Sequence, residues 1–283
     1  MRLDKFLADM GVGSRSDLKK AIRKSLVTVN GTVEKDPGAQ VSAEDHICYD
    51  GAEIRYAEQQ YYMLHKPAGV LSASEDRRQT TVVDLINLND ELVRKDLFPV
   101  GRLDKDTEGL LIITNDGPLA HQLLVPKHHI DKTYYAIVTG TITEDDQRAF
   151  ARGIRYDEKL TALPATLRVL STRKTVADLR RELGFTATSE RLLRTRLAGP
   201  AFIGAEEPAD ITEDSLVSEV EITIQEGKFH QIKKMVKALP GGKEILYLRR
   251  ITMGALRLDP NLAPGEFRKL RQEEIKILKD SVE

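Results

Sequence analysis

Residues 101–117 read GRLDKDTEGLLIITNDG, and the aliphatic run Leu110, Leu111, Ile112 and Ile113 inside them constrains the fold more than any other stretch. Short, continuous and closed by Asn115-Asp116-Gly117, it predicts a buried strand that ends in a turn. Asp104, Asp106 and Glu108 alternate just before Gly109, a spacing close to a calcium loop of the form D-x-[DN]-x-[DN]-G-x5-E. Two departures weaken that reading. Asn115 stands where the loop needs a bidentate Glu, and Glu108 where a shorter Asp or Asn is usual. Such loops also join two helices, whereas this one leads into a strand. Taken alone, the acids would be a solvated turn capping that strand.

The chain has 283 residues, 41% of them hydrophobic, enough for at least one sizeable core and about two domains. It has no run of eighteen apolar residues and no signal-peptide pattern behind Met1, so a soluble, cytoplasmic protein is expected. A net charge of −1 argues against indiscriminate coating of nucleic acid, which draws its affinity from phosphate neutralisation. The single Cys48 excludes an internal disulfide, and between Ile47 and Tyr49 it reads as an ordinary half-buried strand residue. Six histidines, His128 and His129 among them, form no metal-binding spacing with it. No metal site is expected.

Charge is distributed unevenly. SRSDLKKAIRK, residues 14–24, carries Arg15, Lys19, Lys20, Arg23 and Lys24 against Asp17 alone. Ser14 can cap a helix here, with Asp17 three residues on near the positive helix end. Leu18 and Ile22 face inward, which leaves the basic residues outside, either as a solvated face or as a contact surface. LVTVNGTVE follows, where Val27 and Val29 alternate into Asn30-Gly31, the pair that supplies the positive φ angles of a tight hairpin. Residues 1–56 therefore read as a small α/β module. MRLDKFLADMGVGSRSDLKKAIRKSLVTVNG resembles the S4-like RNA-binding domain shared by a ribosomal small-subunit protein and many RNA-modifying enzymes. That resemblance turns the basic face into an expected phosphate contact.

Residues 57–60 form a polar linker, after which YYMLHKPAGV reads as a strand that stops at Pro67. Strand patterns recur over 132–140 and 218–225, and residues 230–239 read as a helix with Ile232, Met235, Val236 and Leu239 on one side. Residues 171–217 stand apart as an expected helical insertion: one short helix on Val176, Leu179 and Leu183, another on Leu192, Leu193 and Leu197, then a mobile Gly/Pro/acidic tail. The fold class is α+β.

YYMLHKPAGV, GRLDKDTEGLLIITNDG, PKHHIDKTYYAIVTG, EGKFHQIKKM and LAPGEFRKL, in that order, resemble the RsuA-type branch of the ribosomal RNA pseudouridine synthases. The resemblance implies a catalytic domain over 61–283 with a central, mostly antiparallel mixed sheet flanked by helices. It also implies a reaction in which the N-glycosidic bond of a uridine breaks, the base rotates, and a ring carbon is joined to the sugar. Neither redox nor group transfer occurs, so no cofactor is expected, and the chain has no Walker loop. A carboxylate is required, either to attack the sugar or to stabilise charge developing there, as in retaining glycoside hydrolysis.

The family's essential Asp lies in its GRLD motif, which assigns Asp104. Asp106 and Glu108 are left as turn and strand-entry residues. The K-x-Y motif assigns Tyr134, expected to pack on a flipped base, although outside the family a half-buried strand aromatic would be the reading. The Q-[IV]-[KR] motif assigns Lys233 as the cation paired with Asp104; by itself it would be a solvated helix lysine. Arg102 is expected on RNA phosphate, with a surface ion pair as the alternative, and Lys66, His230 and Gln231 are further expected RNA contacts. PKHHIDKTY and APGEFRKL look most like the member that modifies one uridine of 16S rRNA. The partner expected is therefore 16S rRNA within an assembling small subunit, bound by a monomer, without membrane or metal. Two alternatives remain: a 23S rRNA enzyme of the same family, and a ribosome-assembly protein that binds RNA without activity.

Overall fold

The computed structural model describes residues 1–54, 59–87, 96–158, 160–183 and 212–282. Two helices, α1 (Leu3–Asp9) and α2 (Arg15–Arg23), open the chain. Ser14 caps α2 by accepting from the Asp17 backbone N–H at 3.2 Å. A small antiparallel sheet follows, of strands β1 (Val27–Val29), β2 (Thr32–Val33), β3 (Ile47–Tyr49) and β4 (Ala52–Ile54), in the order β2-β1-β3-β4. Asn30 and Gly31 make the β1–β2 turn with φ of 51° and 80°, the left-handed values such a hairpin requires. Leu3, Phe6, Leu7, Leu18, Ile22, Val27 and Ile47 close a core of their own between these helices and strands.

The second sheet contains β5 (Tyr61–Lys66), β6 (Phe98–Pro99), β7 (Glu108–Thr114), β8 (Lys132–Thr139), β9 (Thr166–Thr175), β10 (Leu216–Ile224), β11 (Ile245–Met253), β12 (Leu256–Arg257) and β13 (Phe267–Lys269). Its main path runs β13-β5-β7-β11-β8-β10-β9. Among the described strands β7 and β11 are the one parallel pair. Helices α3 (Val82–Asn87), α4 (Gly117–Leu124), α5 (Glu144–Arg152), α6 (Val176–Leu183), α7 (Gln231–Lys237) and α8 (Gln272–Asp280) cover its faces.

Alternation along each strand assigns the faces. Tyr62 and Leu64 of β5, Leu111 and Ile113 of β7, and Tyr134 and Ala136 of β8 pack with α3, α5 and α7 on one side. Tyr61, Met63, Leu110 and Ile112 pack with α4 and α8 on the other. β7 is buried along its whole length, so its aliphatic run supplies both cores. The turn after it becomes the start of α4, where Asp116 accepts from the Leu119 N–H at 3.1 Å.

Residues 171–217 differ from the inserted hairpin expected of them. Residues 171–175 complete β9 and residues 216–217 begin β10, so the sheet extends into both ends of the segment. The first helix forms as α6, and its Val176 and Leu179 are buried against Tyr135, Ile137, Val217 and Leu246. That helix therefore covers a sheet face instead of standing off it. The second helix and the tail fall outside the described residues, as does most of the expected linker.

Gly109 is where β7 meets β11. Its φ is +107°, and a Cβ there would lie 2.2 Å from the Arg250 carbonyl oxygen and 2.6 Å from its nitrogen. Both the space and the torsion exclude a side chain. Gly109→Ala is expected to destabilise the protein by about 3 kcal/mol, read as a lower denaturant midpoint with an unchanged slope.

Candidate active site

One row of paired residues crosses five strands. Lys66 of β5 lies beside Gly109 of β7, Gly109 beside Arg250 of β11, Arg250 beside Tyr134 of β8, and Tyr134 beside Ile222 of β10. The loop ahead of β7 and the loop after β10 both rise from this row. The first carries Arg102, Asp104 and Asp106; the second leads through residues 225–230 into α7, which carries Lys233. Arg102, Asp104, Tyr134, His230, Gln231 and Lys233 all line the cleft between them, with Leu103, Ile224, Ile232 and Leu248 as apolar wall.

At the cleft's centre the Lys233 Nζ lies 2.9 Å from Asp104 Oδ2 and 2.6 Å from Asp106 Oδ1. His230 Nε2 approaches the other oxygen of Asp104 at 3.6 Å. Asp104 keeps 26% of its side-chain surface open, against 15% for Asp106, so Asp104 is the more accessible of the two carboxylates. The three acids of the opening motif thus have separate destinations. Two share one lysine, while the buried Glu108 accepts a hydrogen bond from the Tyr247 hydroxyl at 2.7 Å. A calcium loop needs its carboxylates to converge on one point, and these do not.

Tyr134 is 7% exposed, joined to the core on one side and the cleft on the other. Arg102 is exposed at the rim, and no ion pair to a carboxylate forms there among the described residues. In the N-terminal module Arg15 and Lys19 turn towards the fully buried Asp4, at 3.2 and 3.9 Å, while remaining about half exposed. Burial pushes the Asp4 carboxyl up, but hydrogen bonds from Arg2 and Arg15 outweigh this and hold it below its ordinary value. Lys20 pairs with Asp17 at 3.5 Å, and Arg23 and Lys24 are exposed.

Two expected RNA contacts require correction. Lys66 is fully buried and donates to the carbonyls of Pro67, Lys105 and Thr107 at 2.9, 3.2 and 2.9 Å. It holds the Asp104 loop from beneath and cannot reach RNA. The following residues continue this support: the Gly69 N–H donates to the Lys105 carbonyl at 2.7 Å, and the Ser72 hydroxyl to the Leu103 carbonyl at 2.8 Å. Gln231 is 3% exposed; its amide donates to Glu226 at 2.7 Å and accepts from the Lys228 N–H at 2.9 Å. Both of its polar ends are therefore committed to fixing the turn ahead of α7.

Asp106 is the group that sequence reasoning undervalued. Read as a turn residue, it competes with Asp104 for the same cation, and the two-residue spacing on a tight loop was the available signal.

Carboxylates paired with a cation in a cleft with an aromatic wall, on a mixed sheet in a chain that opens with an S4-like module, are the arrangement expected of an RNA-modifying isomerase of the pseudouridine type. The sequence model of the RNA pseudouridylate synthase family matches residues 60–238, and that of the S4 domain matches residues 1–47. The chain belongs to the RNA pseudouridylate synthase family. It is 38% identical to an uncharacterised RNA pseudouridine synthase, YtzG, of Bacillus subtilis over 99% of each chain. It is 34% identical to ribosomal small subunit pseudouridine synthase A of Pasteurella multocida over 97% of this chain and 98% of that one. A crystal structure of a pseudouridylate synthase, 32% identical, superposes with a TM-score of 0.57 over 98% of this chain and 99% of the other.

Burial lowers the Lys66 ammonium to about 8 from an ordinary 10.5, against the opposing pull of Asp106, Glu108 and Asp104. A lysine depressed in the folded state binds fewer protons there than when unfolded. The cost of burying its charge is therefore present in full below pH 8 and is relieved between pH 8 and 10.5. Relative to Lys66→Met, the wild-type protein is expected to gain roughly 3 kcal/mol across that window, measured by urea unfolding at each pH.

Proposed function

We propose that this protein isomerises one uridine of 16S rRNA to pseudouridine while the small subunit assembles, working in the cytoplasm as a monomer and without a cofactor. Residues 1–56 are the RNA-binding module, joined through 57–60 to a catalytic domain over 61–283. In this reading Asp104 is the nucleophile. Its carboxylate attacks the sugar carbon of the target nucleotide as the N-glycosidic bond breaks. The base then turns within the cleft, its ring carbon bonds to the sugar carbon as the Asp104 ester bond breaks, that ring carbon loses its hydrogen to water while the former glycosidic nitrogen takes up a proton, and Asp104 is released unchanged. Tyr134 gives the flipped base a face to pack on. Lys233 offsets the carboxylate charge and, shared with Asp106, fixes its direction. The observation that carries the reading is the accessible Asp104 carboxylate, 2.9 Å from Lys233 in a cleft that also holds Tyr134.

The described residues contain no helix long and apolar enough to cross a membrane. The choice of 16S over 23S rRNA rests on similarity to relatives named for the small subunit. An inactive assembly factor would have no need of an ordered Asp104–Lys233 pair.

Asp104→Asn is expected to lower turnover by about 10⁴-fold or more with RNA affinity within a few fold, measured by tritium release from uracil-labelled 16S rRNA, 23S rRNA and partly assembled subunits. A tenth of wild-type turnover in that variant would remove Asp104 from the role, and product from 23S rRNA alone would reassign the substrate. Asp106→Asn leaves Lys233 to Asp104 and is expected to cost about tenfold, well short of the first variant.

Changing Lys19, Lys20, Arg23 and Lys24 together to Ala is expected to weaken RNA binding and flatten its salt dependence. Each lost phosphate contact lowers the logarithmic salt slope by about 0.7 to 0.9. An unchanged slope would return the α2 face to solvent.

A further inference from the structure

Phe229 has 70% of its surface exposed, more than any other large apolar side chain of the described residues. It stands in the loop between β10 and α7, where the Gln231–Glu226 and Gln231–Lys228 hydrogen bonds fix the backbone. His230 adopts a left-handed φ of 52°, and the two adjacent rings are stacked, 3.8 Å apart and 19° from parallel. The inner ring of the stack is the imidazole that approaches Asp104 at 3.6 Å. The outer ring projects into solvent. Lys234 Nζ lies 5.8 Å from its centroid, and Lys228 precedes it in the loop.

We propose that Phe229 is a stacking platform for a base adjoining the target uridine, an inference that rests on the reading of this cleft as the isomerisation site. Turning a uridine into the cleft breaks the stacking of its neighbours in the RNA. An aromatic face in water, held rigidly next to the reacting group, replaces that lost contact. Stacking on an aromatic is tolerant of base identity, so the ring orders the strand at the cleft mouth without reading sequence. Lys234, paired only at 3.8 Å with the exposed Asp157, suits a phosphate of the same strand, whereas Lys228 is held by Glu226 at 3.0 Å. Phe229 is a positioning residue: it touches RNA but not the reacting bond.

The chain contains no tryptophan, so Phe229→Trp introduces the only indole and reports contact directly. The RNA to use is the shortest 16S rRNA substrate that the wild-type protein converts, bare or within a partly assembled subunit, made also with a single abasic nucleotide on either side of the converted uridine. The indole fluorescence is expected to be quenched on adding the intact RNA, with kcat/KM within about twofold of wild type. Phe229→Ala is expected to lose about tenfold in kcat/KM with an unchanged melting temperature. One of the two abasic RNAs should cost the wild-type protein the same tenfold and cost Phe229→Ala nothing more. An unquenched indole, full activity of Phe229→Ala, or additive losses on both abasic RNAs would overturn the proposal. If the wild-type protein converts no uridine in any ribosomal RNA, the reading of the cleft fails first. Conversion that is indifferent to Phe229 removes the platform alone.

Discussion

The backbones of Gly109 and Arg250 approach so closely that no side chain fits between them, and this contact sets the geometry of the whole catalytic sheet. It joins β7 to β11 in parallel, whereas every other described neighbour in that sheet runs antiparallel. A parallel neighbour cannot be supplied by a hairpin and must come from a distant crossover. Here β11 arrives after α7, so the helix carrying Lys233 is brought to the end of the sheet where β7 begins. Asp104, five residues ahead of Gly109, then meets a cation far away in sequence. Arg250 itself is buried and donates to the Leu110 carbonyl at 2.7 Å, which ties the two strands again.

The charges of the site follow from that placement. Lys233 serves two carboxylates above the row, and Lys66, at the end of the row, lies among three carbonyls. A buried cation is tolerated only when its donors are satisfied, and the carbonyls of Pro67, Lys105 and Thr107 satisfy them. The same bonds shape the loop. The price of this arrangement is a lysine in an environment that disfavours its charge. On the opposite wall Gln231 provides the neutral counterpart, fixing the turn that presents Phe229 and His230.

Local chemistry made several elements legible in advance. The aliphatic run at 110–113 predicted β7, Ser14 predicted the start of α2, and Asn30-Gly31 predicted the first hairpin. Resemblance across five motifs predicted that Asp104, Tyr134 and Lys233 lie together, and they share one cleft. Less legible was segment 171–217, because its helical periodicity concealed strand residues at both ends. Pairing with β10 decides where β9 stops, and no local pattern records that partner.

By itself the sequence determined the elements with strong short-range preferences, and with them the α+β class and the chemistry available: alternating carboxylates ahead of the aliphatic run, scattered lysines, no metal-ligand spacing. Only the tertiary structure decided which of those groups act together. Lys66 and Lys233 are the same residue type, yet one is fully buried under carbonyls and the other faces two carboxylates. Asp104 and Asp106 are both aspartates on one loop and differ in access to the cleft. The physical reason is that a charged side chain takes its role from the solvent and the partners left to it once the backbone has packed, and those partners come from strands and helices far away along the chain.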